Sequence, residues 1–200
     1  MAGYIIHISV GEEYIRLHPN EIKNHEEFIS GIIYPDSVAD KSLTHCGPKS
    51  SKVNLSNFFK DKDIDTDFNK GYFLHLVTDY LFYNKFLKVF SKNIYNDYDI
   101  LNRELEKIFN VNVPNEIKDK VFYKSGQTQI LKLDETIDFI KKVASYKLED
   151  IKKEVLNGNE NWLKIRELIK NWKNCKKLKH YWRSRLLHKK VKARIEMLKI

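Results

Sequence analysis

The chain has 200 residues, 42% hydrophobic and 32% charged, with a net charge of +9 and only seven Gly and four Pro. That length suits one domain, or one domain with an appended segment. So few turn-forming residues, with so many Lys, Glu, Leu and Ile, favour helices over a many-stranded sandwich. No run reaches the roughly 18 apolar residues of a membrane span, and Met1–Ile6 is too short and lacks the basic start of a secretory signal. Cys46 and Cys175 form neither a disulfide framework nor a CxxC metal motif. The expectation is a cytoplasmic protein with reduced thiols.

In chain order, residues 3–18 carry helical spacing, with Gly3, His7, Val10, Gly11 and Tyr14 along one side. Gly3 and Gly11 flank His7 and would let another backbone approach it. The stretch from Pro19 to Pro48 reads as less regular, with a cap at Asn20 and a short apolar patch at Phe28–Tyr34. Pro35 and Gly47-Pro48 put Asp36 and His45 on loops or element ends. After an acidic connector, Asp61–Asp67, a strong helix is predicted from about Phe68 to Phe90, with the stripe Tyr72, Leu76, Val77, Phe82, Phe86 and Val89. Asn93–Asp99 reads as an interruption, Ile100–Phe109 as a helix, and Val111–Glu116 as a turn around Pro114. Lys118–Tyr123 follows as a short helix or extended piece. Helices near Asp134–Tyr146 and Leu148–Leu156 precede the Asn157-Gly158-Asn159 break. The predicted division is a helical domain over 1–158 and a basic amphipathic extension over 159–200.

The chemistry-bearing residues centre on Gly71-Tyr72-Phe73-Leu74-His75-Leu76-Val77-Thr78-Asp79. His75 and Asp79 are four apart, so on a helix they share a face one turn apart. Tyr72, Phe82 and Phe86 continue that face, which points the pair inward. A carboxylate and an imidazole buried together need a positive partner, and a metal ion supplies one, with nitrogen and oxygen ligands that suit zinc. The plain alternative is an i,i+4 hydrogen bond that seats a core helix. Taken singly, His7 reads as a satisfied core histidine, His45 as a loop residue and Asp36 as a turn or cap residue.

Together these residues resemble a known family. The order His7, Pro35-Asp36, Thr44-His45, then Gly71-Tyr72-x-x-His75-Leu76-x-x-Asp79 resembles the zinc-dependent phospholipase C family, which is related to the single-strand-specific zinc nucleases. The likeness covers roughly residues 1–110, and Asn96-Asp97-Tyr98-Asp99-x-x-Asn102 is similar to a segment of uncharacterised bacterial members. The resemblance implies an all-α phosphoesterase: a compact multi-helix, zinc phospholipase C-like bundle with a basic C-terminal helical extension. It further implies that Asp36, His45, His75 and Asp79 hold one metal, while His7 with a shared Asp79 contributes to a neighbouring one. Lys85 stands where that family has a further histidine ligand, and its later HxxxE pair has no counterpart, since Ser184 follows His180 and Lys192 follows His188 at that spacing. One or two metals are therefore expected, Zn2+ first and Fe or Mn as alternatives. Asp97 and Asp99 are candidate replacement ligands or supporting residues, unless they serve as N-terminal charges of the next helix.

A site of this kind would hydrolyse a phosphate ester, and Asp36 is the first candidate to orient or deprotonate the attacking water. Tyr72, Tyr80 or Tyr83 would donate to substrate unless they simply pack. From Lys164 to Ile200, fourteen Lys or Arg face only Glu167 and Glu196, with Trp172, Tyr181 and Trp182 interleaved; Trp162 just precedes them. Residues 162–199 therefore suit nucleic acid, a nucleotide or an anionic membrane surface, unless they are a solvated helix pair. The substrates that fit are a nucleotide, an oligonucleotide or a phospholipid headgroup. The rival function is a non-catalytic metal-containing protein that holds a nucleic acid, a membrane or a protein partner through its basic end.

Overall fold

Among the described residues two helices are buried along most of their length, and between them they carry three of the five residues above. The computed structural model describes residues 2–87 and 91–158; the basic segment 159–200, with Cys175, His180 and His188, lies outside the described residues. Among the described residues the fold is all-helical, with no strand. Helix α1 (Tyr4–Leu17) buries the unbroken run Tyr4–Gly11. Helix α4 (Asp67–Leu81) buries Gly71–Asp79. A helix apolar all round has neighbours on every face. For α1 those are α2 (His25–Ser37), α4, α5 (Ile94–Phe109) and α6 (Leu133–Ala144). The last two are amphipathic covers, each with one buried stripe. The short α3 (Leu55–Asp61) and α7 (Leu148–Leu156) close the other side of α4.

The pairing of α2 with α4 sets the site. A methyl group on Gly31 would lie 2.0 Å from the Phe68 carbonyl oxygen, and one on Gly71 would lie 2.0 Å from that of Phe28. Only glycine at both positions lets the two backbones touch. The helix starts are also cross-tied. The Asp67 carboxylate accepts from the Lys23 and Asn24 amides at 2.8 and 2.7 Å, and Glu27 accepts from the Phe68 amide at 3.3 Å. The close approach is therefore of α2 on α4, whereas Gly3 and Gly11 face the side chains of Tyr98 and Ile32 and not another backbone.

Several boundaries differ from the sequence reading. The stretch that reads as irregular contains the full helix α2, capped by Asn24 and not Asn20, with Pro35 in its last turn and Asp36 just after it. So late in the helix, Pro35 costs a single backbone bond. The predicted helix to Phe90 is α-helical only to Leu81 and then widens into a π turn over Phe82–Phe86. The wider turn brings both Phe82 and Phe86 onto Phe139 of α6, at ring separations of 5.6 and 4.7 Å. Helix α5 starts at Ile94, so the polar Asn93–Asp99 stretch is largely helical. Its buried Asp97 finds partners outside the helix, described below. No helix among the described residues is long and apolar enough to cross a membrane.

Candidate metal centre

All five residues singled out above meet in one place. Helix α1 supplies His7, the last turn of α2 supplies Asp36, the loop after it supplies His45, and α4 supplies His75 and Asp79. Each is buried, with at most 5% of its surface exposed. His45 Nε2 lies 3.4 Å from Asp36 Oδ1, 3.4 Å from Asp79 Oδ2 and 3.3 Å from His75 Nε2. His75 Nε2 lies 3.9 and 3.8 Å from the same two carboxylates. His7 Nε2 is 3.3 Å from Asp79 Oδ1 and 4.0 Å from Asp36 Oδ2, with its ring stacked on His75 at 3.8 Å and 7°.

The surrounding groups fix which ring nitrogen faces inward. His75 Nδ1 sits 2.7 Å from the Ile32 carbonyl oxygen, and a carbonyl only accepts, so Nδ1 carries the proton and Nε2 presents its lone pair. His45 Nδ1 is held in the same sense by the Lys41 carbonyl at 3.2 Å. Two lone pairs 3.3 Å apart repel unless a proton or a cation lies between them. The loop that aims His45 is itself strained: Cys46 adopts a left-handed φ of 52°, and Asn57 Nδ2 donates to its carbonyl. Thr44 Oγ1 donates to the Pro35 carbonyl at 2.8 Å, and Tyr72 donates to the Thr44 carbonyl.

The electrostatics suit a cation. Burial depresses the His75 imidazole to about 3, with His7 adding to the effect, so it stays neutral. Burial also opposes charge on His45, but the carboxylates of Asp36 and Asp79, each 3.4 Å from its Nε2, outweigh it and lift His45 to about 9. Burial works against the charge on Asp36 and Asp79 as well, yet the imidazoles around them hold both below the ordinary carboxylate value, Asp79 well below. The decisive feature is what these atoms lack. Both ring nitrogens of His7, both carboxylate oxygens of Asp36, and Asp79 Oδ2 are buried and make no hydrogen bond. Buried polar atoms are nearly always satisfied; these five make no hydrogen bond, the carboxylates have ion-pair neighbours in His45 and Lys41 at 3.4 Å, and a bound ion would satisfy them. Two groups of three residues, His7 with His75 and Asp79, and Asp36 with His45 and His75, have ligand atoms close enough to hold a metal ion.

No family model, curated protein or solved structure matches the chain. The site stands on its own geometry.

The other residues raised from sequence lie elsewhere or support the centre. Asp97 is fully buried, and its carboxylate accepts the amides of Gln129, Ile130 and Leu131 at 2.9, 2.6 and 2.9 Å, which pins that loop to α5. Asp99 pairs with Lys124 at 2.9 Å. Neither belongs to the two ligand groups. Tyr72 packs in the core and braces the His45 loop. Tyr83 is half-buried, and its hydroxyl is pushed up by burial and by Asp79. Sequence reasoning missed Lys41, whose Nζ lies 3.4 Å from Asp36 Oδ1 and 2.6 Å from the Asp36 carbonyl oxygen. It also missed the Ala2 amide, which donates to Asp79 Oδ1 at 2.9 Å, and Tyr4, whose hydroxyl donates to the Asp36 carbonyl at 2.7 Å. A lone Lys in a loop, a backbone amide and a tyrosine at a helix start carry no motif, so nothing in the sequence flags them.

Proposed function

We propose that this chain is a metal-dependent hydrolase of a phosphate ester, with zinc as the preferred ion. The observation that carries the reading is the set of five unsatisfied buried atoms on His7, Asp36 and Asp79, next to two imidazoles whose outer nitrogens are already committed. Imidazole nitrogens and carboxylate oxygens are the ligand types zinc takes. Asp36, His45, His75 and Asp79 would hold one ion, and His7 with a shared Asp79 would contribute to a neighbouring one. The ion would supply Lewis acidity, polarising a phosphoryl oxygen and lowering the pKa of water.

The chain's own residues provide the rest. Asp36 stays ionised, held below the ordinary carboxylate value, and can accept a proton from water or orient it. Lys41 adds a positive charge 3.4 Å from that carboxylate. Tyr83 keeps its proton at neutral pH, its hydroxyl pushed up by burial and by Asp79, and would donate to a phosphoryl oxygen that came within its reach. The resemblance to the zinc phospholipase C family and its nuclease relatives points to the same chemistry.

The test is a panel of phosphomonoesters and phosphodiesters with zinc-loaded protein. Chelator-sensitive cleavage that disappears in His75→Ala supports the reading. A metal-loaded protein that cleaves no ester in the panel contradicts it.

A further inference from the structure

A cation is already built into the edge of this centre. Lys41 opens the short 3-10 turn Lys41–Leu43, in the loop that leads from α2 to His45. Its ammonium donates to the Asp36 carbonyl oxygen at 2.6 Å, and from that anchor it lies 3.4 Å from Asp36 Oδ1. The carbonyl belongs to the last turn of α2, where a helix favours a positive charge. Asp40, the adjacent acid, is engaged elsewhere: its Oδ1 accepts from the Ser42 amide and hydroxyl at 2.9 and 2.7 Å. Three quarters of the Lys41 side chain is out of solvent, with 26% exposed. The carbonyl of the same residue accepts from the His45 amide at 2.9 Å and faces His45 Nδ1 at 3.2 Å. One residue therefore touches two of the five metal-site residues, on different elements.

The result is that the two oxygens of Asp36 are unequal. Oδ1 has His45 Nε2 and Lys41 Nζ as neighbours, each at 3.4 Å. Oδ2 faces His75 Nε2 at 3.9 Å and His7 Nε2 at 4.0 Å. A bound ion draws His45 Nε2 to itself as a ligand, whereas the ammonium stays tied to the Asp36 carbonyl. A fixed positive charge against Oδ1 repels a second one from the same oxygen. The ion is left with Oδ2, and Asp36 becomes a one-oxygen ligand.

Metal ions differ in how well they accept that restriction. Zinc takes four ligands of mixed nitrogen and oxygen, one atom from each. Manganese seeks six oxygen-rich positions, and calcium takes carboxylates through one or both oxygens. A site of imidazoles and carboxylates favours zinc over manganese to begin with, and an ammonium held on one carboxylate oxygen widens the gap. We propose that Lys41 is a selectivity residue: it holds Asp36 to one oxygen and steers the centre toward a four-coordinate ion and away from oxygen-seeking ones. The proposal rests on the metal centre of the hydrolase reading, and not on the reaction.

The test is calorimetric titration of the full-length wild type, Lys41→Met, Lys41→Gln and Lys41→Arg with zinc and with manganese, each protein checked for helicity by circular dichroism. Removing the ammonium should raise manganese affinity about tenfold and zinc affinity by less, so that the preference for zinc narrows in Lys41→Met and Lys41→Gln. Lys41→Gln retains a donor for the Asp36 carbonyl, which keeps the helix end capped. Lys41→Arg retains the charge and should retain the wild-type preference. If Lys41 only caps α2 and steadies the loop, its loss weakens both ions together, so the sign of the manganese change separates the two roles. A wild type that binds zinc, with neutral variants that gain nothing for manganese or gain equally for both ions, overturns the proposal and leaves the centre standing. A wild type that binds neither ion overturns the centre and the proposal with it.

Discussion

Loading the centre with a divalent ion at pH 7 should expel about one proton per ion, and His45 is its source. In the metal-free fold Asp36 and Asp79 lift this imidazole to about 9 against the opposing effect of burial. Two pH units below that value, about 99% of the molecules carry the proton. A histidine ligates only when neutral, so the ion must displace it. The remaining ligands release nothing at this pH: His75, at about 3, is already neutral, and Asp36 and Asp79, both lowered, are already ionised. The competition costs about 100-fold in apparent affinity at pH 7, two pH units at tenfold each. Affinity should therefore climb about tenfold per pH unit from pH 6 towards 9 and flatten beyond it. Calorimetric titration of zinc in two buffers of different ionisation enthalpy counts the protons directly. His45→Ala should bring the count to zero along with most of the affinity. A wild-type count near zero at pH 7, with affinity independent of pH, would refute this account of how the carboxylates and imidazoles are coupled.

Other consequences follow from packing and charge. Gly71→Ala places a methyl group 2.0 Å from the Phe28 carbonyl oxygen; backbone cannot yield cheaply there, and the loss in chemical denaturation should be about 3 kcal/mol or more. Because that contact also sets Asp36 against His75, zinc affinity should fall in the same variant. Asp97→Ala strips three backbone amides of their acceptor and should destabilise the fold by about 2–4 kcal/mol, while zinc content per folded chain stays unchanged. Metal-free protein should be most stable near pH 6.5. His45 titrates above its ordinary 6.5, so its contribution is complete below 6.5 and is lost as pH rises through about 9. His75 titrates below its ordinary 6.5, so the unfolded chain takes up the proton first, and stability drops by about 2 kcal/mol by pH 5. Urea denaturation with chelator at pH 5, 6.5 and 9 measures both limbs, and a monotonic profile would contradict the assignment.

How much of this was legible in the sequence varied with the physics. The all-helical class followed from composition, and α1, α6 and α7 from apolar spacing. The His75–Asp79 pair was readable because its helix is apolar on the flanking positions, and the structure brings His7, Asp36 and His45 to it. Helix α2 was not readable, because Pro35 near its end mimics a loop and its true cap, Asn24, is masked by the polar run around it. The short α3 has too few residues to show a period, although Leu55 and Phe58 are buried. Asp97 looked like a spare ligand because its actual partners, three backbone amides more than thirty residues away, leave no mark on side-chain identity. The glycines were flagged for the right reason on the wrong helix: close backbone approach occurs at Gly31 and Gly71. The basic end, whose nucleic-acid or membrane role was read from charge, lies outside the described residues.

The most direct measurement is metal content per chain by elemental analysis after zinc loading and desalting, for the wild type, His75→Ala and Asp79→Ala, each checked for helicity by circular dichroism. At least one ion per wild-type chain, and none retained by either folded variant, is the predicted result. A wild-type chain that holds no zinc, or folded variants that hold as much as the wild type, would contradict the claim that these buried imidazoles and carboxylates exist to bind a cation.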